Sequence, residues 1–208
     1  MKHQATRDLY AYWQSLRRRR PAPDRSEIEP ADIRHLLGNT FILEVVSATE
    51  YRYRLAGTRL CAIYGREMKG KDFNSFWPSK DRDAVLTMLS AICEDAAATV
   101  VGLEGLTDHG RKLPMECLLL PLRQSGEGFT RILGSMVPMD DPYWIGVHPV
   151  MTQTVSSLRL IWPDEPPAGL IHSSALDADV GLFQKNTPQP LPFRRRVNHL
   201  TVYDGGKG

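Results

Sequence analysis

The chain has 208 residues, of which 42% are hydrophobic and 24% charged, with a formal net charge of +2. That length and balance suit one core-bearing domain with extensions, and they supply no global field that would recruit nucleic acid. The cysteines Cys61, Cys93 and Cys117 are odd in number, far apart and without a CxxC pair, which argues against a disulfide scaffold and a zinc site.

Residues 1 to 13 carry charges where a secretory signal needs an apolar stretch, and the apolar run Cys117 to Leu122 is short and contains Pro121. Neither reads as a leader or a membrane span, so the expected location is the reducing cytoplasm.

Along residues 5 to 19, Leu9, Tyr12, Trp13 and Leu16 fall at offsets of three, four and seven. They form one stripe of an amphipathic helix, which Pro21 to Pro23 breaks. The arginines 17 to 20 at its end read as a solvated helix terminus, where cations suit the partial negative charge. A second short helix is predicted over Pro30 to Leu37, with Pro30 in its first turn and Gly38 past its end.

Residues 40 to 46 (TFILEVV) are rich in β-branched and aromatic types and predict a strand. Tyr51 to Leu55 is its antiparallel partner across a turn. The chain then runs into short helical turns carrying Leu60, Ile63, Tyr64, Phe73, Phe76 and Trp77, followed by a long helix over Lys80 to Asp95. Three further strands are predicted at Thr99 to Leu106, Leu113 to Leu122 and Phe129 to Val137. This order gives an α+β domain with a five-stranded antiparallel sheet.

The middle strand of that trio places Met115, Cys117 and Leu119 on one face and Leu118, Leu120 and Leu122 on the other. A sheet with one wet face would alternate apolar and polar residues there, so both faces must be covered. The short helices and the long helix would cover one face, and the Leu9/Trp13 helix the other. Beyond Asp140-Asp141-Pro142, Leu158, Leu160 and Trp162 alternate as an extra strand. From Pro163 onward Pro, Asp, Gly and Ser dominate, and a largely disordered or loosely docked tail is expected, with Leu200 to Tyr203 its strand-like patch.

This order of elements resembles the PAS fold. Residues 7 to 13 (RDLYAYW), 30 to 33 (PADI), 51 to 58 (YRYRLAGT), 65 to 67 (GRE), 118 to 122 (LLLPL) and 131 to 134 (RILG) are similar to a bacterial family of stand-alone PAS-like proteins. The resemblance spans roughly residues 5 to 162 and implies a sensory or adaptor module. It divides the chain into an N-terminal helical extension (1–38), a PAS-like core (39–138), a C-terminal extension packed on the core (139–162) and a flexible tail (163–208).

PAS domains usually bind a small molecule between sheet and short helices, or pair through the outer sheet face and an N-terminal helix. The pocket lining so implied is Leu43, Tyr53, Leu60, Ile63, Tyr64, Phe73, Phe76, Trp77, Leu86, Leu89, Met115, Cys117 and Ile132. The same residues also read as a plain close-packed core. A homodimer would use Leu9, Tyr12, Trp13 and Leu16. Rim arginines Arg52, Arg54, Arg59 and Arg66 could bind an anionic effector bidentately, or pair with Glu44, Glu50 and Glu67.

The ligand is unknown. Haem is disfavoured because the long helix lacks the histidine that haem-binding relatives use. His35 and His109 read as a helix-end and a turn residue. A photoactive flavin is disfavoured because no motif like the reactive-cysteine GxNCRFLQ occurs, and Cys61 reads as a small hydrophobe. No metal site is predicted, and no GxSxG, HExxH or Walker loop marks a catalyst. The expectation is a non-enzymatic sensor or adaptor that regulates a separate signalling protein. A receptor for a nucleotide messenger or membrane surface and a purely structural interaction module remain the alternatives.

Overall fold

The computed structural model describes residues 1–163, together with the backbone of residues 195–197 and 200–202. The flexible tail expected over 163–208 otherwise lies outside the described residues. Within it, β7 (Arg195–Val197) and β8 (Leu200–Val202) pair as a small antiparallel hairpin, so the predicted patch at 200–203 is a strand through Val202.

Residues 1–163 build one sheet covered on both faces. Helix α1 (Gln4–Arg17) comes first, then β1 (Thr40–Ser47) and β2 (Glu50–Ala56). Helix α2 (Thr58–Tyr64), a 3-10 turn at Phe73–Phe76 and helix α3 (Ser79–Asp95) follow. Strands β3 (Ala98–Thr107), β4 (Lys112–Gln124), β5 (Gly128–Pro138) and β6 (Val150–Ile161) complete the domain. The sheet has six strands in the order β2-β1-β5-β4-β3-β6, and every pairing is antiparallel.

The sheet therefore has one strand more than the five expected. Strand β6 begins at Val150, well before the Leu158–Trp162 alternation, and pairs with β3 from Ala98 to Thr107. Its pattern is obscured by register shifts at Gly102/Leu103 and at Leu106/Thr107. The second shift skips Met151 and puts inward residues at Val150 and Gln153, a spacing of three. A bulge breaks the period-2 signal that sequence reading depends on.

The helix predicted over Pro30 to Leu37 is also corrected. Ile33 and Leu36 are buried, but their amides bond to Pro30 and Ile33, three residues back. The segment is a run of tight turns ending in a 3-10 turn at Leu37–Asn39. Amides that bond three residues back close 3-10 turns, which run only in short pieces, so the segment buries its apolar residues without an α-helical ladder.

Strand β4 divides the two cores. Met115, Cys117 and Leu119 join the aromatic core beneath α2, the 3-10 turn and α3. Leu118, Leu120 and Leu122 join a second core with Leu9, Trp13, Ile28, Ile33, Leu36 and Leu133. Both sets are at most 2% exposed, as a strand covered on both faces requires. Two glycines permit close approach. A Cβ at Gly134 would lie 2.2 Å from the Phe41 ring, and one at Gly57 would lie 2.0 Å from the Leu37 carbonyl oxygen.

Helix α1 is pinned to the outer face at both ends. The buried Glu116 carboxylate on β4 accepts from the Lys2 and His3 amides at 2.7 and 3.0 Å. The Trp13 indole donates to the Pro121 carbonyl at 2.9 Å. Burial pushes the Glu116 carboxyl up, but the Lys2 and His3 amides, Thr6 and the N-terminal charge together outweigh it and hold its pKa below the ordinary value.

Candidate ligand site beneath the lid helices

The inner core gathers the residues implied as a pocket lining. Leu43, Tyr53, Leu60, Ile63, Tyr64, Phe73, Phe76, Trp77, Leu89, Met115, Cys117 and Ile132 are all buried and belong to one cluster. Leu86 packs against it from α3 and is half-buried. Sequence alternation explains the sheet contribution, since Tyr51 and Tyr53 face inward while Arg52 and Arg54 face water. On α2, Leu60, Ile63 and Tyr64 form the buried stripe, and Gly65 ends the helix in the left-handed conformation at φ 61°.

Aromatic rings fill the middle of this cluster. Phe41 meets Tyr53 edge-on at 5.4 Å, Tyr53 lies 5.8 Å from Phe73, and Phe73 lies 5.7 Å from Trp77. Tyr64 and Phe76 approach to 4.5 Å. Such contacts suit the ring quadrupoles and give the lid a rigid underside.

Into this apolar packing the chain places several polar groups. The Tyr64 hydroxyl donates to the Gln153 side-chain oxygen and lies 3.1 Å from the Met136 sulfur. The Tyr53 hydroxyl, the Trp77 indole nitrogen and the Gln153 amide nitrogen are buried without a hydrogen-bond partner. An unpaired buried donor of this kind costs about 1–3 kcal/mol. Burial raises the pKa of Tyr53 and Tyr64 well above the ordinary tyrosine range, reinforced for Tyr64 by the neighbouring Cys117. Burial likewise pushes the Cys117 thiol up, and the Cys93 thiol to about 12, so both are held as neutral thiols. Gln153 is the site residue that sequence reading missed: it sits on the bulged edge strand, and its inward placement has no periodic signal.

The rim arginines are spread over separate partners. Arg52 pairs with Glu50, Arg54 lies 3.6 Å from Glu44, and Arg59 lies 2.9 Å from Asp141. Arg66 donates to the Tyr64 carbonyl at 3.2 Å and lies over the Phe76 ring at 5.7 Å.

The α1 stripe divides. Leu9 and Trp13 are buried against the chain's own sheet, while Tyr12 and Leu16 are only half-buried. Of the terminal arginines, Arg17 lies over the Trp13 ring at 5.4 Å and Arg20 pairs with Asp24 and Glu27 at 3.2 and 2.8 Å. A cleft of about 310 Å³ opens elsewhere, where the 28–38 turns meet β1 and β2, lined by Ile28, Ile33, Leu37, Ile42 and Leu55.

Comparison with known proteins places the chain in a family. The PAS domain family matches residues 1–137. No curated protein matches the chain. Among solved structures, a light-oxygen-voltage domain studied with a flavin analogue is 16% identical, with a TM-score of 0.43, covering 54% of this chain and 85% of its own. The dark structure of the blue-light photoreceptor Aureochrome1 LOV domain is 16% identical, with a TM-score of 0.42, covering 53% and 82%. An RNA-binding light-oxygen-voltage receptor is 16% identical, with a TM-score of 0.41, covering 56% and 35%. Among the described residues no helix is long and apolar enough to cross a membrane. By the family match over most of its length, the chain belongs to the PAS domain family.

Proposed function

We propose that this chain is a non-catalytic sensor or adaptor that regulates a separate signalling protein, with a small polar ligand taken up beneath the lid helices. Family membership supports a sensory or regulatory role in general. The ligand reading rests on one observation: the Tyr53 hydroxyl, Trp77 indole nitrogen and Gln153 amide nitrogen lie unpaired inside an otherwise apolar cluster. Buried polar groups are ordinarily hydrogen-bonded, and several left open in one core supply donors for an incoming acceptor.

An acceptor-rich molecule seated there would gain the bonds the core leaves unmade, with aromatic walls excluding water. The signal would leave through β4, whose inward residues touch the site while Glu116 and Pro121 hold α1. A homodimer would form through the exposed side of α1, with Tyr12 and Leu16 contributing while Leu9 and Trp13 remain on the sheet.

The test is mass spectrometry of small molecules released from natively purified protein, with Tyr53→Phe beside it. A co-purifying acceptor-rich molecule that Tyr53→Phe loses supports the reading. A core that binds nothing, or a molecule retained equally by both proteins, refutes it.

A further inference from the structure

We propose that Asp108, His109 and His148 form a binding site for a borderline divalent transition-metal ion of the Zn²⁺ type. The β3–β4 hairpin carries Asp108 and His109 at its turn, and the segment leading into β6 carries His148. Folding brings one donor atom from each residue within 4.8 Å of the others. The imidazole of His109 lies 2.7 Å from the Asp108 carboxylate, and the two histidine rings are 4.5 Å apart.

Two imidazole nitrogens with one carboxylate oxygen suit Zn²⁺, Co²⁺, Ni²⁺ or Cu²⁺, and suit Mg²⁺ or Ca²⁺ poorly. A tetrahedral ion with bonds of about 2.0–2.2 Å holds its ligands roughly 3.3–3.6 Å apart. Side-chain rotations that open the 2.7 Å Asp108–His109 bond and draw the more distant donors inward would place the three around an ion. Three protein ligands leave a fourth position for water or a ligand atom.

Both supporting segments are held in place. In the hairpin the Gly110 amide bonds to the Thr107 carbonyl at 3.0 Å, and the Arg111 amide to the Thr107 hydroxyl at 3.0 Å. In the other segment the His148 amide bonds to the Trp144 carbonyl at 3.0 Å, and Trp144 is buried in the inner core. The Arg111 guanidinium bridges the two, lying 5.8 and 5.9 Å from the Tyr143 and Trp144 rings. Ligands on such anchored turns lose little freedom on binding. An ion here would clamp the β3–β4 hairpin to the start of the edge strand that carries Gln153. The cysteine spacing that argued against zinc does not bear on this set, which draws no ligand from sulfur.

The experiment uses untagged full-length chain stripped with a chelator, titrated with Zn²⁺ by calorimetry and with Co²⁺ by visible absorption. One equivalent should bind, with Co²⁺ ligand-field bands, and millimolar Mg²⁺ should not compete. His109→Ala and His148→Ala should each weaken binding at least about tenfold, Asp108→Asn less, without change in the metal-free melting temperature. Zn²⁺ should raise the melting temperature of wild type and not that of the double His109→Ala/His148→Ala variant. Wild-type affinity in that double variant, or no saturable binding by the wild type, overturns the proposal.

Discussion

Trp13→Ala tests whether α1 is an integral part of the fold. The ring is 2% exposed, stacks near Tyr10 at 6.0 Å, carries the Arg17 guanidinium at 5.4 Å and donates to the Pro121 carbonyl at 2.9 Å. Truncating a buried Trp costs about 3–5 kcal/mol, part of it from the cavity left over Leu118, Leu120 and Leu122. The orphaned Pro121 carbonyl adds to this unless water reaches it. With about 2–4 °C lost per kcal/mol in a domain of this size, the melting temperature should fall by roughly 10 °C. Trp13→Phe keeps most of the apolar area and loses the N–H bond, so it should cost only about 1–2 kcal/mol. Thermal melts followed by far-UV circular dichroism, with sedimentation velocity alongside, measure both variants. A Trp13→Ala protein that melts within about 2 °C of wild type would refute the packing argument. Loss of a dimer without loss of stability would show that the ring faces a second copy instead.

In ligand-free protein Tyr53→Phe removes an unpaired buried hydroxyl, so chemical denaturation should show unchanged or higher stability, by up to about 1 kcal/mol; a clear loss would mean that the hydroxyl has a partner. Glu116→Gln should destabilise the protein at neutral pH, because a neutral amide holds the Lys2 and His3 amides more weakly than a carboxylate does. The folded pKa of Glu116 is depressed, so its contribution is complete above the unfolded-state value and disappears as pH falls through the folded one. Denaturation curves of the Gln variant and wild type should therefore converge in acid, and a gap that widens there would refute the assignment. Cys117→Leu adds bulk to a position that is 1% exposed, and should cost about 1–3 kcal/mol if the ligand-free core is filled. Wild-type stability in that variant would reveal room beneath the lid.

Much of this architecture is legible in the sequence because its strongest signals are periodic. The two apolar faces of β4 require two covering layers, and the Leu9/Trp13 spacing supplies the outer one. What escapes is whatever departs from a period. The bulge that skips Met151 hides β6 and, with it, the inward placement of Gln153. The turns over 30–37 bury Ile33 and Leu36 three residues apart, a spacing shared by an α-helix and by successive 3-10 turns. Glu116 reads as one polar break in an apolar strand, and only the fold shows that it accepts from the start of α1. His109 and His148 are distant in sequence, so their proximity is a product of the β3–β6 pairing and of the segment that Trp144 anchors.

The same strand that separates the two cores also joins them mechanically. Cys117 and Met115 pack beneath the lid, and the residue between them, Glu116, holds Lys2 and the N-cap residue His3 at the start of α1 on the opposite face. Four residues beyond Cys117, the Pro121 carbonyl holds Trp13 near the helix end. Interiors at packing density transmit displacement because they have little void to absorb it. Were a ligand to sit beneath the lid as proposed, any shift of β4 would be taken up at bonds of 2.7 to 3.0 Å to α1, or the helix would move with the strand. The half-buried Tyr12 and Leu16 ride on that helix, which puts the outward-facing side of α1 one bonded step from the inner core.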